Sequence, residues 1–159
     1  MITPETVEQA YKQYYQDKYP NYPANRTPSY RSCYARKKPA NKLTAMIVDA
    51  FKYLPNSGHF KGFANRVNVM GVYNPKTKRY RPSGSTPGAA DISAMINGVR
   101  VEIEVKIGKD RLSEKQIKFR DNITAAGGQY WVVRSWEDFL EQLNTYLYAT
   151  NPNQQHHNG

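Results

Sequence analysis

The stretch Val101-Glu102-Ile103-Glu104-Val105-Lys106-Ile107 alternates an apolar residue with a charged one at every step. Because successive side chains of a β-strand point to opposite faces, the aliphatic residues share one face and Glu102, Glu104 and Lys106 share the other. The aliphatic face predicts packing on a hydrophobic core. The charged face of so apolar a strand is expected to be covered as well, so its two acids and its lysine need a functional reason.

The dipeptide Asn97-Gly98 precedes this strand and is typical of a type I′ turn. It predicts a hairpin between residues 90–96 and 99–107. Counting outward from the turn pairs residues whose numbers sum to 195, which places Asp91 opposite Glu104. Two directly opposed carboxylates repel each other, so we expect a cation to offset them, either a metal ion or Lys106.

The residue types at this position favour phosphodiester hydrolysis. Carboxylate oxygens from Asp91 and Glu104 select Mg²⁺ or Mn²⁺, and such an ion polarises a phosphodiester and lowers the pKa of water. Lys106 is suited to orient the attacking water or to stabilise charge that grows on the phosphate. Gln116 interrupts the apolar stripe of the following helix and is the fourth candidate, although an inward amide bonded to backbone is the ordinary alternative.

Helical and strand periodicities on either side of the hairpin predict an α/β fold, a mixed sheet with helices on its faces. Asn41 and Ser113 are predicted N-caps, and Ser135 with Asp138 forms a predicted capping box. The predicted helices cover residues 3–18, 41–54, 113–126 and 135–147, and the further strands cover residues 66–73, 78–81 and 130–134.

Composition suggests three segments. Residues 1–40 hold one helix followed by a basic arm rich in Tyr and Pro, residues 41–150 form one compact domain, and residues 151–159 are expected to be a mobile tail. The arm either lies along a nucleic acid or packs irregularly on the domain. One cysteine, Cys33, excludes an internal disulfide, and no apolar run suggests a signal peptide or a membrane span. We therefore expect a cytoplasmic protein.

Positive charge is concentrated in one part of the chain. The formal net charge is +10, and residues 18–90 contain fourteen Lys or Arg against a single acid, Asp49. Such a field favours a polyanion, since neutralised phosphates release counterions, and nucleic acid is the leading partner. A solvated basic surface without any partner is the alternative. The candidates for phosphate contact are Arg36, Lys37, Lys38, Arg66, Lys76, Lys78, Arg79 and Arg81.

Several motifs in order resemble the VRR-NUC family of PD-(D/E)XK nucleases, over roughly residues 41–145. They are Pro87-Gly88-Ala89-Ala90-Asp91, Glu104-Val105-Lys106, Leu112-Ser113-Glu114-Lys115-Gln116, Gly127-Gly128 and Val132-Val133-Arg134-Ser135. The resemblance implies a restriction-endonuclease-like mixed sheet flanked by helices, and a divalent metal bound by Asp91, Glu104 and the backbone carbonyl of Val105. It further implies that Lys106 assists catalysis and that Gln116 completes the site. Such domains cleave DNA, often branched or flapped, and occur widely in bacteriophages and bacteria.

The chain departs from this family on its first core helix. The family usually carries a glutamate there, whereas Asn41-Lys42-Leu43-Thr44 has no acid, and Asp49 lies off the apolar stripe. The departure puts tight or two-metal binding in question. It leaves a DNA-binding module without turnover as the alternative function, with RNA as a further substrate class. A homodimer is suggested only by analogy with two-fold symmetric junctions.

Overall fold

A four-stranded mixed sheet organises the protein, as seen in a computed structural model that describes residues 1–67, 72–81 and 86–150. The strands are β1 (Gly62–Arg66), β2 (Val72–Asn74), β3 (Arg79–Arg81), β4 (Ile92–Ile96), β5 (Val99–Val105) and β6 (Gln129–Val133). The α-helices are α1 (Pro4–Lys18), α2 (Pro39–Tyr53), α3 (Glu114–Ala125) and α4 (Trp136–Thr150). The strand order of the four-stranded sheet is β1-β4-β5-β6; β1, β4 and β5 are antiparallel neighbours, and β6 runs parallel to β5. Helix α3 connects β5 to β6, as a parallel pair requires.

The β4–β5 hairpin has the predicted turn and register. Asn97 and Gly98 both adopt positive φ, at 49° and 84°, as a type I′ turn demands. Pairing runs from Ile96 opposite Val99 to Ile92 opposite Ile103, so the paired numbers sum to 195 as expected. Asp91 therefore stands one step before the first paired residue of β4, level with Glu104.

The two ends of the strand predicted over residues 66–73 belong to different sheets, and residues 68–71 between them lie outside the described residues. Strand β1 ends at Arg66 and pairs with β4, while β2 and β3 form a separate two-stranded antiparallel sheet. The Lys61 amide donates to Asn97 Oδ1 at 2.9 Å, and the Asn97 amide donates to the Lys61 carbonyl at 2.7 Å. The hairpin turn thus anchors the start of β1, a tertiary contact that the local sequence pattern does not encode.

The apolar face of the sheet packs on α2 and α4. Ile92, Ile96 and Ile103 are fully buried there, together with Ile47 of α2 and Phe139 of α4. Each strand contributes every second residue to this layer, which is why the alternation in the sequence predicted it.

The predicted cap of α2 is wrong. The helix begins at Pro39, two residues earlier than expected, and has no side-chain cap. Proline is favoured at the first helical position, because its φ is already helical and its missing amide proton has no partner to lose. Asn41 lies inside the helix and accepts a hydrogen bond from Arg66 at 2.6 Å.

Residues 1–40 share the core of the domain. Tyr30 and Tyr34, in a short 3-10 turn (Tyr30–Tyr34), are buried. The Tyr30 hydroxyl donates to the Met46 carbonyl, and the Tyr34 hydroxyl donates to Asp49 Oδ2 at 2.6 Å. Of the two alternatives for the arm, this part follows the packed one.

The predicted tail, residues 151–159, lies outside the described residues. Within the described part of the chain, no helix has both the length and the apolar character to cross a membrane.

The N-terminal caps of α3 and α4 involve the serine residues that the sequence predicted. Ser113 Oγ accepts from the Gln116 amide at 3.3 Å, and Gln116 Oε1 accepts from the Ser113 amide at 2.9 Å, so the predicted cap of α3 is confirmed. Ser135 Oγ likewise accepts from the Asp138 amide at 3.0 Å. The return bond of that predicted box comes from the Arg134 amide instead, at 2.7 Å to Asp138 Oδ2.

Candidate functional site: a buried carboxylate beneath helix α3

The charged face of β5 is covered, as its sequence predicted. Glu102 and Glu104 are 1% and 3% exposed and lie on the side of the sheet that α3 packs against. Glu102 Oε1 accepts hydrogen bonds from Ser93 Oγ at 2.8 Å and from Arg100 Nε at 2.6 Å. The negative charge of Glu102 is therefore offset by a neighbouring arginine.

Glu104 is only partly satisfied. Its Oε1 accepts from Gln116 Nε2 at 2.5 Å and forms an ion pair with Lys106 Nζ at 3.0 Å. Its Oε2 is buried and has no hydrogen-bond partner among the described residues. Burial raises the pKa of Glu104, and the charge of Asp91 raises it further, while Lys106 and Gln116 act in the opposite direction. One oxygen of a buried acid is thus left without a donor.

Asp91 reaches across from the start of β4 to the end of β5. Its Oδ2 accepts a hydrogen bond from the Val105 amide at 2.9 Å. The effect of its charge on the pKa of Glu104 agrees with the register in placing the two acids near each other. The hairpin therefore brings Asp91 and Glu104 together as expected; the role of the Val105 carbonyl as a ligand stays a prediction.

Gln116 ties the site to α3. Its Oε1 accepts from Lys106 Nζ at 3.1 Å and from the Ser113 amide, while its Nε2 donates to Glu104. The sequence left open whether Gln116 reaches the site or bonds to backbone, and the side chain bonds to the Ser113 amide as well as to Lys106 and Glu104. Capping of the helix and alignment of the lysine with the glutamate therefore depend on one amide group.

The loop before Asp91 packs on the first turn of α3. Gly88 has φ +80°, and a Cβ atom there would overlap the Lys115 carbonyl oxygen and come within 2.9 Å of the Gln116 amide nitrogen. Only glycine allows this close approach together with this backbone conformation. The loop that carries Asp91 and the helix that carries Gln116 thus form one packed unit.

The residues present fit a divalent cation. Asp91 and Glu104 with Lys106 leave one formal negative charge, and Glu104 Oε2 is a buried acceptor without a donor among the described residues. Carboxylate oxygens are the ligands that Mg²⁺ and Mn²⁺ prefer. The described ranges contain no group of three or more His, Cys, Asp or Glu side chains placed to hold a metal ion, so the fit depends on these two acids.

Helix α2 supplies no further acid to this place. Its first turn has no acidic residue. Asp49, in its third turn, instead accepts from the Tyr34 hydroxyl and from Lys52 Nζ, each at 2.6 Å. Asp49 therefore belongs to the tyrosine-rich region of the core rather than to the carboxylate site.

The predicted phosphate contacts lie at three places on the surface. Arg36, Lys37 and Lys38 are exposed just before α2, and Lys76, Lys78 and Arg79 are exposed on the β2–β3 hairpin. The side chain of Arg81 is outside the description. Arg66 is exposed at the end of β1 opposite Ile92, next to Asp91, whose carbonyl accepts from the Val67 amide at 2.8 Å. Arg66 is thus the candidate whose backbone is tied to the Asp91 end of the hairpin.

Sequence reasoning missed Tyr130 at this site. The residue lies on β6 opposite Glu102, its ring packs edge-on against Phe119 at 6.4 Å, and its hydroxyl is buried without a hydrogen-bond partner in the described ranges. The sequence indicated a short buried strand here. It did not fix the parallel register between β5 and β6, which decides the face to which Tyr130 points.

Comparisons with protein families, with curated proteins and with solved structures found no match to this chain. The fold and the site therefore define its class by themselves. It is a mixed α/β protein with a four-stranded mixed sheet flanked by helices. Its polar face carries a carboxylate pair, a lysine and a glutamine, held between a hairpin and a helix start.

Proposed function

We propose that the chain is a divalent-metal-dependent DNA endonuclease of the VRR-NUC type, with the restriction-endonuclease-like variant of its α/β fold. The observation that carries the proposal is the Glu104 carboxylate: it is 3% exposed, paired on one oxygen, unpartnered on the other within the described residues, and close to a second acid. Burying such a group is costly unless a further cation or donor completes its surroundings. A divalent cation at Asp91 and Glu104 would supply that partner.

Each residue has a separate task in this proposal. Asp91 and Glu104 hold the cation, which when bound would polarise the phosphodiester and make a neighbouring water more acidic. Lys106, 13% exposed in its side chain, supplies a positive charge that can orient the water or stabilise the phosphate. Gln116 keeps that ammonium beside Glu104 through its bonds to both.

The charge distribution supports a nucleic acid as substrate. Residues 18–90 hold fourteen basic side chains against one acid. Exposed members of this set occupy the β2–β3 hairpin, the end of β1 and the turn before α2. Contacts from such side chains would position the phosphate backbone without reading its sequence. Branched or flapped DNA is the substrate that the family resemblance favours, and a homodimer would suit a two-fold symmetric junction.

A second candidate is a DNA-binding module that does not turn over. Lys106 already offsets Glu104 through its ion pair, and α2 adds no acid. On this view the cluster is structural and the basic surface carries the function. The two candidates differ in whether DNA is cut or only bound.

The deciding experiment incubates plasmid, flap and four-way-junction DNA, with RNA in parallel, in Mg²⁺ or Mn²⁺. We expect multiple-turnover cleavage by the wild type that EDTA abolishes. Glu104→Gln should lose at least about 100-fold in activity, because the charge that binds the cation is gone. Glu102→Gln is the matched control, since it removes an equally buried acid from the same strand face and should still cut. Gel shifts without nicks on every substrate would refute the nuclease and support the binding module.

A further inference from the structure

The hydroxyl of Tyr130 has no task in the site as described so far. Tyr130 stands opposite Glu102 in the parallel β5–β6 pairing, so its side chain points to the same face as Glu102 and Glu104. Its oxygen is buried and has no hydrogen-bond partner among the described residues. Buried hydroxyl groups are nearly always hydrogen-bonded, so such an exception needs an explanation.

A second unpartnered atom lies on the same face, the Oε2 of Glu104. Glu104 is the diagonal neighbour of Tyr130 on the adjacent strand, two residues beyond its pairing partner Glu102, and such neighbours, about 7–8 Å apart, are within reach of aromatic and long side chains. Helix α3 encloses both groups: Gln116 bonds to Glu104, and Phe119, one turn later, packs on the Tyr130 ring. The two atoms are thus held between the same strands and the same helix.

The charges around Tyr130 keep its hydroxyl protonated. Burial raises the pKa of Tyr130 most, and the charges of Glu104, Asp91 and Glu102 raise it further, opposed by Arg120. A phenol in this environment is a hydrogen-bond donor at every physiological pH. The acceptor that such a donor suits is a water molecule or a carboxylate oxygen.

We propose that Tyr130 is a positioning residue for the cation site: its hydroxyl donates a hydrogen bond to a water molecule that also bonds to one lone pair of Glu104 Oε2, and so orients the carboxylate while the second lone pair stays available to the cation. The inference rests on the proposed function, since it gives Tyr130 a place around the same ion. Outer partners of this kind orient the ligands of a metal, and their loss typically weakens metal affinity about 10-fold or more.

The test compares Tyr130→Phe with Tyr146→Phe. Tyr146 also has a buried hydroxyl without a partner in the described ranges, but its ring packs on Trp131 at 5.7 Å, on the opposite face of the sheet. Each change removes one oxygen and leaves the ring. We expect Mn²⁺ binding, measured by calorimetry, to weaken about 10-fold in Tyr130→Phe and to stay unchanged in Tyr146→Phe. The melting temperature in EDTA verifies that both variants fold.

A second measurement, the near-ultraviolet absorption of tyrosine, tests the proposal on the wild type and so does not depend on the folding of Tyr130→Phe. Adding Mn²⁺ should perturb the near-ultraviolet absorption of a buried tyrosine in the wild type and in Tyr146→Phe, and should not do so in Glu104→Gln. Two results would overturn the role of Tyr130 alone, provided that Mn²⁺ binding still needs Glu104. In the first, the two tyrosine variants bind Mn²⁺ equally well; in the second, Mn²⁺ leaves the tyrosine absorption of the wild type unchanged. Absence of Mn²⁺ binding, or equal binding by Glu104→Gln, overturns the proposed metal site itself.

Discussion

The two faces of the sheet are covered in very different ways. The face that meets α2 and α4 is built from aliphatic and aromatic residues with almost no exposure, Ile103 and Phe139 among them. The opposite face is covered by α3, a helix none of whose residues is fully buried. Apolar contacts thus concentrate on one face, while the other combines ionisable groups with a lighter cover. Segments with few buried apolar contacts open most easily, which suits the cation site proposed on this face.

Two acids on the polar face show how this difference reaches single residues. Glu102 and Glu104 are two residues apart on one strand and equally buried. Arg100 and Ser93 satisfy Glu102 from the sheet itself, whereas Glu104 depends on Lys106 and on Gln116 of α3. An acid with one partner on a lightly packed helix can exchange that partner, while an acid paired within the sheet has a fixed environment.

Removing an aromatic ring from each face tests the contrast most strongly. Phe139→Ala should destabilise the fold by about 3–5 kcal/mol, because Phe139 is fully buried and packs against Phe51 and Trp136. Phe119→Ala on α3 should cost clearly less, since Phe119 is only half-buried. Urea unfolding of the two variants measures both values. Equal losses would mean that α3 stabilises the fold as much as the apolar face does.

The coupling between the Asp91 loop and α3 can be broken at Gly88. Gly88→Ala should cost about 2–5 kcal/mol, the sum of its positive φ and its overlap with the Lys115 carbonyl. Gly98→Ala has nearly the same φ, at 84°, but open space around the new methyl group, so only the backbone part of the cost applies. Denaturation curves give the difference, and nuclease assays should show that Gly88→Ala impairs cleavage more. Identical stabilities would refute the close approach.

Some of these features could be predicted from the sequence and others could not. The Asn97-Gly98 turn fixed the register, and the period of two fixed the faces, so the meeting of Asp91 with Glu104 followed from counting. These are local signals. Asn41 predicts the start of the second helix through its strong capping preference, but the preference of Pro39 for the first helical position decides the actual start.

Longer-range features had no such signal. The β1 strand depends on hydrogen bonds between Lys61 and Asn97, 36 residues apart, and its own pattern does not alternate clearly. Tyr130 lies on the polar face because of the parallel register between β5 and β6. A helix connects these two strands, so no tight turn in the sequence determines that register. Residues 30–34 lie in a segment of Tyr, Pro, Arg and Lys without a clear period, which is typical of an arm, yet two of these tyrosine rings are buried. The meeting of the two acids with the lysine and the glutamine could therefore be predicted from the sequence, whereas the residues that surround them could not.

The balance of charge on the polar face can be shifted at Lys106. Lys106→Met keeps the length of the side chain but leaves Glu104 and Asp91 without the ammonium. We expect a loss of about 1–3 kcal/mol in EDTA, the usual cost of an unsatisfied buried group. Mg²⁺ or Mn²⁺ should restore more stability to this variant than to the wild type, because the ion would then replace the ammonium group that is missing beside the two acids. Thermal melts with and without the ions test this. A melting temperature of Lys106→Met that does not change with either ion would contradict a metal site.

The last prediction concerns the tyrosines that join residues 1–40 to α2. Their raised pKa values change the free energy of unfolding only at alkaline pH, so this effect is the smallest one at neutral pH. Burial, followed by the charge of Asp49, raises the pKa of Tyr53 to about 12, and burial also raises the pKa of Tyr30 and of Tyr34. An unfolded tyrosine titrates near about 10, so above that pH the unfolded chain loses protons that the folded chain keeps. The stabilisation is complete below pH 10 and declines as the pH rises through 12.

Urea unfolding from pH 8 upward would reveal this decline. Tyr53→Phe should make it shallower, because the variant has one fewer proton to lose on unfolding, whereas Tyr148→Phe, at a side chain that is 60% exposed, should leave the slope unchanged. A slope that is shallower in Tyr53→Phe and unchanged in Tyr148→Phe assigns that part of the alkaline instability to the buried tyrosines between residues 1–40 and α2. A stability that stays flat to pH 12, or the same slope in both variants, would show that the aromatic contacts do not hold the N-terminal segment in place.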